Sequence, residues 1–499
     1  MNPLVIRADA GPVVGTGHVM RCLALAEAWQ ECGGKVILAS VSVVSALDVR
    51  LKEKGIEVAH IFREAGSMGD AEETIRIAKK FGADWIVIDG YSFGADYQRS
   101  IRNAGFYQLF IDDYGHADHY CADIVLNQNI YASRSLYPAH EQYTHFFLGT
   151  DYVLLRKEFL NLPRQDREIP EVAQKLLITL GGCDPENITL AIIETIKSAE
   201  IPDLHIVVVV GGANPHTKLI DQAVSGHPHF TVLRDAGNMP ELMAWADVAI
   251  SAGGGTCWEL LFMGVPSIVI PIAGNQELVA RKLGLRSLAC VLSESEAKKS
   301  HLLAKTLSRI LCSREIRSGL SKRMAGYIDG NGPARIIHAM ETPALILRTA
   351  EPGDCEMVWR WINDPDVRLV SFTQEPIPLD HHRAWFASSL SDPGLIYYLA
   401  LEPHTGPIGQ ARFRIENRDA TISVLVAPGQ RGKSLGSQLI HDATEKVFAE
   451  TSVENVKAFI KTGNEVSKKA FARAGYLEHG LVDYYGEDAF LFIKKRVRS

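Results

Sequence analysis

Short apolar runs alternating with amphipathic stretches dominate the first third of the chain. The segments Leu4–Ile6, "KVILAS" (35–40), "DWIVID" (84–89) and "QLFIDD" (108–113) read as buried strands, with helical patterns such as "AEETIRIAKKFG" between them. This alternation predicts a parallel sheet with helices on both faces, the Rossmann-like form of α/β domain. The pattern restarts beyond "LPRQDREIPEVAQ", where "KLLITLGG" (175–182), "LHIVVVVGG" (204–212), "DVAISAGGG" (247–255) and "PSIVIPIAG" (266–274) each end in a glycine turn. Residues 1–160 and 161–340 are therefore expected to form two such domains in tandem. The glycines and proline of "DGNGPARIIHAMETPAL" mark a further boundary near 336–345. Beyond it, "LILRTAEPGD", the amphipathic "CEMVWRWIND" and several shorter strands follow in mixed order, which predicts an α+β domain over 345–499.

The 499 residues, 46% hydrophobic and 22% charged, suffice for two or three cores. A formal charge of -7 provides no general attraction to nucleic acid or anionic membrane, and neither is expected as a partner. The basic run Lys494-Lys495-Arg496 reads as a solvated chain end. Eight cysteines without a C-x-x-C pair or a matching histidine cluster read as reduced core thiols, not as disulfides or zinc ligands. No charged segment precedes an apolar run near Met1, and no uncharged apolar stretch would span a bilayer, so a cytoplasmic protein is expected. Its self-association is not legible in the sequence.

The candidate chemistry begins at "GPVVGTGHVMRCLALAEAW" (11–29), where His18 follows a glycine turn between a strand and a helix. A dinucleotide cradle is improbable, because Met20 stands where a third glycine is needed and "KVILAS" is followed by Val41 where a ribose-binding acid belongs. Two tandem α/β sheets instead form a cleft beyond their strand ends, into which His18 is expected to project. The strongest anion site is "SAGGGTCWELL": Gly253, Gly254 and Gly255 leave backbone N–H groups uncovered, and Thr256 is expected to cap a helix whose positive end favours a diphosphate. Glu259, one turn in, is placed to accept from ribose hydroxyls. Each glycine turn alone is ordinary turn chemistry; three after successive strands, then Asn275-Gln276-Glu277 after the fourth, exceed it.

"RADAGPVVGTGHVMRCLALA", "VIDGYSF", "FIDD", "ITLGGCDPEN", "SAGGGTCWEL" and "GNQE" together resemble the UDP-2,4-diacetamido-2,4,6-trideoxy-β-L-altropyranose hydrolases of pseudaminic acid biosynthesis, over residues 4 to 300. The resemblance implies the two-domain fold of B-type glycosyltransferases. It also implies His18 as the catalytic histidine, Tyr91 as a second active-site group, and Glu259, Asn275 and Gln276 as nucleotide or sugar contacts. Asp9, Gly17, Arg21, Gly254, Gly255 and Thr256 complete the expected UDP-sugar site, with Asp9 either orienting the histidine or holding a sugar hydroxyl. UDP is a stabilised leaving group needing electrostatic support, so the remaining task is to deprotonate water at the anomeric carbon, with inversion. No Asp-x-Asp motif suggests a metal on the diphosphate, so metal independence is expected.

In the third block, "SVLVAPGQRGKSLGSQLI" (423–440) combines a strand end, a basic glycine turn and an amphipathic helix, an anion nest fit for a pyrophosphate. It resembles the coenzyme A motif of the GCN5-related N-acetyltransferases (GNAT), with Ser434 in the usual middle glycine place. The resemblance covers 345–495 and implies acetyl-CoA as co-substrate, held by Val426, Arg431, Gly432, Lys433, Ser434, Leu435 and Gly436, with Asn464 and Ser467 of a second motif. Phe471 stands where the family's acid tyrosine belongs; Tyr476, Tyr484 and Tyr485 are substitutes or packing aromatics. His381 and His382 either assist amine deprotonation or face solvent at a helix start. The two resemblances imply consecutive steps: acetylation of the 4-amino group of a UDP-4-amino-sugar, then hydrolysis to UDP and free sugar. The rivals are a glycosyltransferase fused to a peptide N-terminal acetyltransferase, and a non-catalytic nucleotide-sugar sensor.

Overall fold

The structure, a computed structural model, describes the chain except residues 12–14, 44, 163–166, 200, 235, 342–344, 403–405, 433–434 and 497–499, and the side chains of 45 and 46. It divides into two compact units, Met1–Met340 and Glu341–Ser499.

The first unit contains two parallel sheets. One has seven strands: β1 (Leu4–Ala8), β2 (Val36–Ser40), β3 (Glu57–His60), β4 (Trp85–Asp89), β5 (Tyr107–Ile111), β6 (Ile124–Asn127) and β7 (His145–Leu148), in the order β3-β2-β1-β4-β5-β6-β7. The other has six: β8 (Lys175–Thr179), β9 (His205–Val210), β10 (Phe230–Arg234), β11 (Val248–Ala252), β12 (Ser267–Ile270) and β13 (Cys290–Val291), in the order β10-β9-β8-β11-β12-β13. Both orders reverse beside the first strand, as in doubly wound folds, and ligands of such sheets bind where the order reverses. Central strands are continuously apolar because both faces are covered: Ile6, Val87 and Leu109 pack into one cluster while Val5, Ile86, Ile88 and Phe110 pack into another.

Two features depart from the sequence pattern. Strands β3, β6, β7, β10 and β13 are not marked by it; β3 and β7 are half exposed and β13 has only two residues. The helix Gly332–Glu341, at the end of the second Rossmann-like stretch, inserts Ile336, Ile337 and Met340 beside Leu4, Leu23 and Trp85 of the first sheet's core.

The second unit is an α+β domain on one seven-stranded sheet. Its strands are β14 (Ile346–Thr349), β15 (Leu395–Glu402), β16 (Gly406–Glu416), β17 (Asp419–Val426), β18 (Asn455–Lys461), β19 (Leu477–Tyr484) and β20 (Glu487–Lys495), ordered β14-β15-β16-β17-β18-β20-β19. All pairs are antiparallel except β17 with β18, which run parallel and pair only over Asp419–Thr421 and Asn455–Lys457. The helix Leu435–Glu450 packs on one face and the helices Cys355–Ile362 and Leu379–Ser391 on the other. Lys494 and Lys495 belong to β20, and Arg496 donates to the carbonyls of Phe448 and Thr451, so the basic run ends a paired strand and is not a solvated tail. All eight cysteines are free; Cys22, Cys121 and Cys257 are buried, but Cys32 and Cys312 lie at the surface and not in a core. Among the described residues no helix is long and apolar enough to cross a membrane.

Candidate active site

After β1 the chain closes a tight loop in which Gly11 and Gly15 exchange backbone hydrogen bonds (3.0 and 2.8 Å), with Gly15 at φ +70°. The helix Gly17–Glu31 starts immediately afterwards, so His18 stands in its first turn, not in the turn before it. A network of side chains from this helix and from the ends of β4 and β5 then fixes the imidazole. Asp89, the last residue of β4 and fully buried, accepts from His18 Nδ1 (2.6 Å) and from Arg21 Nε and Nη2 (2.6 Å each). Arg21, one turn beyond His18 on the same helix face, also donates from Nη1 to Asp113 Oδ1 (2.7 Å). Asp113, just past β5, receives the Tyr91 hydroxyl on Oδ2 (2.6 Å) and Asn129 Nδ2 on Oδ1 (2.9 Å). The Tyr91 and His18 rings meet edge to face with centroids 4.9 Å apart.

This lattice has an electrostatic consequence. Burial alone would raise the Asp89 carboxyl, but Arg21 and then His18 outweigh it and hold Asp89 well below the usual carboxylate range. Asp113 is depressed in the same way, burial being overcome chiefly by Arg21. Burial, followed by the adjacent Asp113 charge, pushes the Tyr91 hydroxyl upward, so it remains a neutral donor. An ionised Asp89 at 2.6 Å places the ring hydrogen on Nδ1 and leaves Nε2 as the lone-pair nitrogen, without a partner among the described residues.

Asp9 does not orient the histidine. Its carboxylate is taken by Arg7 Nη1 (2.7 Å), Ser40 Oγ (2.9 Å) and the Val41 N–H (2.7 Å), and Asp89 holds the orienting position instead. Asp89 and Asp113 lie within the motifs "VIDG" and "FIDD", in which the sequence does not single them out.

The second sheet faces this network with backbone and amides. Asn275 Nδ2 donates to the Tyr91 hydroxyl (2.9 Å), and a Cβ on Gly182 would lie 2.9 Å from Thr16 Oγ1, so both sheets' loops meet at the histidine's approach. Gln276 Oε1 accepts from the Gly253 and Ile272 N–H groups (3.1 and 3.0 Å), bracing the glycine turn. Gly255, not Thr256, is the N-cap of the helix Thr256–Met263, and no side chain caps it; the Cys257 and Trp258 N–H groups are spent on the Gly254 and Gly255 carbonyls (3.0 Å each), and those of Gly254, Gly255 and Thr256 have no partner among the described residues. Glu259 is less free than expected, since its Oε1 accepts from Arg156 (2.7 and 3.0 Å).

In the second unit, Val426 ends β17 and Leu435 and Gly436 open the following helix. Gly432 has φ +80°, the left-handed backbone expected of such a turn; Lys433 and Ser434 lie outside the described residues. Arg431 is engaged by Asp364 (2.6 Å) and Asp366 (2.9 Å). Asn464 caps the helix Glu465–Arg473 by accepting from the Ser467 N–H (3.1 Å), so both residues build that terminus. Tyr476 is buried with its hydroxyl on Thr444 (2.7 Å), and Tyr484 stacks on Phe459 with centroids 4.0 Å apart; Tyr485 is exposed. His381 faces solvent, but His382 is buried and contacts the Cys355 carbonyl at 3.1 Å, contrary to the solvent-facing reading for both. One group of potential metal ligands, His119, Cys121 and Glu141, lies near the start of β6, at the opposite end of the sheet from His18.

The architecture defines a class: two Rossmann-like domains in the arrangement of B-type glycosyltransferases, followed by a GNAT acetyltransferase domain. The model of the glycosyltransferase family 28 C-terminal domain matches residues 176–324, and that of an acetyltransferase (GNAT) domain matches 344–477. The chain is 26% identical over 335 residues to the spore coat polysaccharide biosynthesis protein SpsG of Bacillus subtilis, covering 66% of this chain and 95% of that one. It is 25% identical over 280 residues to the UDP-2,4-diacetamido-2,4,6-trideoxy-beta-L-altropyranose hydrolase of Campylobacter jejuni, covering 56% of this chain and 94% of that enzyme. The fold also matches the crystal structure of Acinetobacter baumannii MurG, with TM-score 0.50 and 18% identity over 68% of this chain and 99% of that one. The chain is thus a fusion of a region similar to such sugar hydrolases with a GNAT domain, an enzyme organisation with two activities.

Proposed function

We propose that the first unit hydrolyses a UDP-linked diacetamido sugar to UDP and free sugar, and that the second N-acetylates its UDP-4-amino precursor with acetyl-CoA. The observation that carries the hydrolase reading is the 2.6 Å pairing of His18 Nδ1 with buried Asp89, which leaves Nε2 as a base at the mouth between the two sheets. Water attacks C1 while Nε2 takes its proton; the C1–O bond to the β-phosphate breaks, and UDP leaves with that electron pair. Asp89 stabilises the imidazolium formed, as a buried carboxylate does for a catalytic histidine. The uncovered N–H groups at Gly254, Gly255 and Thr256 receive the diphosphate, and Tyr91 and Asn275, already joined by a hydrogen bond, contact the sugar together. No carboxylate nucleophile is invoked at C1, so the anomeric centre inverts. The similarity to the hydrolase supports water as acceptor, and the two activities in one chain supply consecutive steps.

His18→Asn tests this. UDP release from the UDP-linked sugar, with no sugar acceptor present, is expected to fall by about 10³-fold or more while thermal unfolding stays unchanged. Undiminished release would remove the base. Wild-type protein that releases UDP only when an acceptor is added would be a glycosyltransferase.

A further inference from the structure

The second unit holds a cation that its fold leaves unanswered. Arg412 lies midway along β16, paired in register with Tyr397 on one side and Ser423 on the other, on the sheet face packed by the helices Cys355–Ile362 and Leu379–Ser391. Its guanidinium donates to Ser423 Oγ (3.0 Å), stands 4.9 Å from the centre of the Trp385 ring and 5.8 Å from that of Tyr397, and its buried Nε has no partner. Among the described residues no carboxylate pairs with it, and the neighbouring Arg414 is the one matched, by Asp392. Other withdrawn arginines are answered: Arg7 and Arg21 by aspartates, Arg156 by Glu259, Arg167 and Arg317 by backbone carbonyls.

A guanidinium half withdrawn from water, its Nε fully buried, without an anion is costly, and an aromatic face returns only part of that cost. Its planar fork fits the oxygens of a phosphate. The position is also informative, because β17 and β18 part after Thr421 and Ser423 lies two residues beyond that last pair. Arg412 therefore flanks the wedge between the two strands, and its partner Ser423 stands three residues before Val426 and the basic glycine turn expected to hold coenzyme A. Trp385, 39% exposed beside the guanidinium, offers a planar surface for stacking.

We propose that Arg412, Ser423 and Trp385 form the acceptor subsite of the second unit, and that it takes a nucleotide diphosphate carrying the amine to be acetylated. The phosphate oxygens receive the guanidinium fork and the Ser423 hydroxyl, and the base stacks against Trp385. This rests on reading the unit as an acetyltransferase, and it selects nucleotide-linked amines over peptide or free-sugar amines.

The test compares acetyl transfer by the full chain to a UDP-4-amino-sugar and to the same amino-sugar without nucleotide. Arg412→Gln is expected to shrink the kcat/KM ratio between the two acceptors by about 10- to 100-fold, the loss of one charge-assisted contact. The KM for acetyl-CoA stays within about twofold. An unchanged ratio, or a loss confined to acetyl-CoA, overturns the assignment. Trp385→Ala, at a half-exposed position, gives a smaller loss of the same kind and guards against misfolding of the arginine variant. Calorimetric titration with UDP separates this proposal from the acetyl-transfer reading: Arg412→Gln loses one bound UDP relative to wild type whether or not acetyl transfer is seen. Equal stoichiometry in the two proteins overturns the subsite, whereas wild-type protein that binds UDP there but acetylates neither amine overturns only the acetyl-transfer reading.

Discussion

The two sheets of the first unit share one strand order over six strands, the first adding β7 at its edge, and differ in what they place at the reversal point. The first fills it with charge: His18, Arg21, Asp89 and Asp113 form a continuous lattice in which each carboxylate meets a cation. The second leaves it nearly bare: the Gly253 N–H, expected to be uncovered, is taken by the Gln276 amide oxygen, and the N–H groups of Gly254 and Gly255 stay open. A side-chain lattice holds one reactive atom in a fixed place; open backbone N–H groups accept an anion without competing charges. On the proposed function, one topology supplies an oriented base on one side and an anion cradle on the other, and the distinction lies in the strand-end loops.

The sharpest way to break this contrast is to remove the charge behind the histidine. Asp89→Asn keeps the shape but no longer fixes the hydrogen on Nδ1 or steadies the imidazolium, and it is expected to lower kcat for UDP release by about 10²–10⁴-fold with KM little changed. A merely structural aspartate would instead lower stability and raise KM together, so KM, kcat and unfolding are measured on the same preparation. Loss of UDP affinity without loss of kcat would show that Asp89 serves the fold and not the base.

The glycine side is sharpened by two neighbouring substitutions. A Cβ on Gly253 would lie 2.9 Å from Gln276 Cβ and 3.0 Å from the Gln276 carbonyl oxygen, whereas one on Gly255 meets nothing within 4 Å. Gly253→Ala is therefore expected to cost about 1–3 kcal/mol of stability, as overpacking does. Gly255→Ala leaves stability unchanged but weakens UDP about tenfold, because only the bound diphosphate would occupy the space. Thermal unfolding and UDP titration of both variants read this directly; a Gly255→Ala protein with wild-type affinity moves the diphosphate elsewhere.

Much of this site is legible in the sequence for local reasons. His18 and Tyr91 follow strand ends, and the three glycines lie at a strand-to-helix turn, features carried by neighbouring residues. Arg21 is expected as a sugar contact, but its i+3 spacing from His18 already places it on the same helix face, where it braces the carboxylates. Asp89 is harder, because an aspartate ending a strand reads alike whether it caps a loop or holds a histidine 71 positions earlier; only the strand order brings β1 and β4 together. The return helix is invisible for a similar reason: the apolar periodicity of Ile336, Ile337 and Met340 announces a buried face without saying which core receives it. In the second unit the motif marks the turn, but that Arg412 lacks an anion emerges only when the residues around it are in place.

The smallest expected effect tests the electrostatics of the lattice apart from catalysis. Asp89 is held below the ordinary carboxylate range in the folded protein, so on acidification the unfolded chain takes up its proton first. The unfolded state then binds more protons than the folded state, and stability falls as the pH drops. The contribution is fully present above about pH 4, near the unfolded value of an aspartate, and is lost progressively towards the folded value. The amide introduced by Asp89→Asn does not titrate, so the difference in urea midpoint between wild type and variant is expected to narrow as the pH is lowered from about 4 towards about 3, below the range in which the His18 partner takes up its proton. Asp113 remains in both proteins and its own titration largely cancels in the difference, except for its coupling through Arg21. A difference that stays the same down to about pH 3 would mean that Arg21 and His18 do not hold the carboxylate ionised, and the oriented base would lose its electrostatic support.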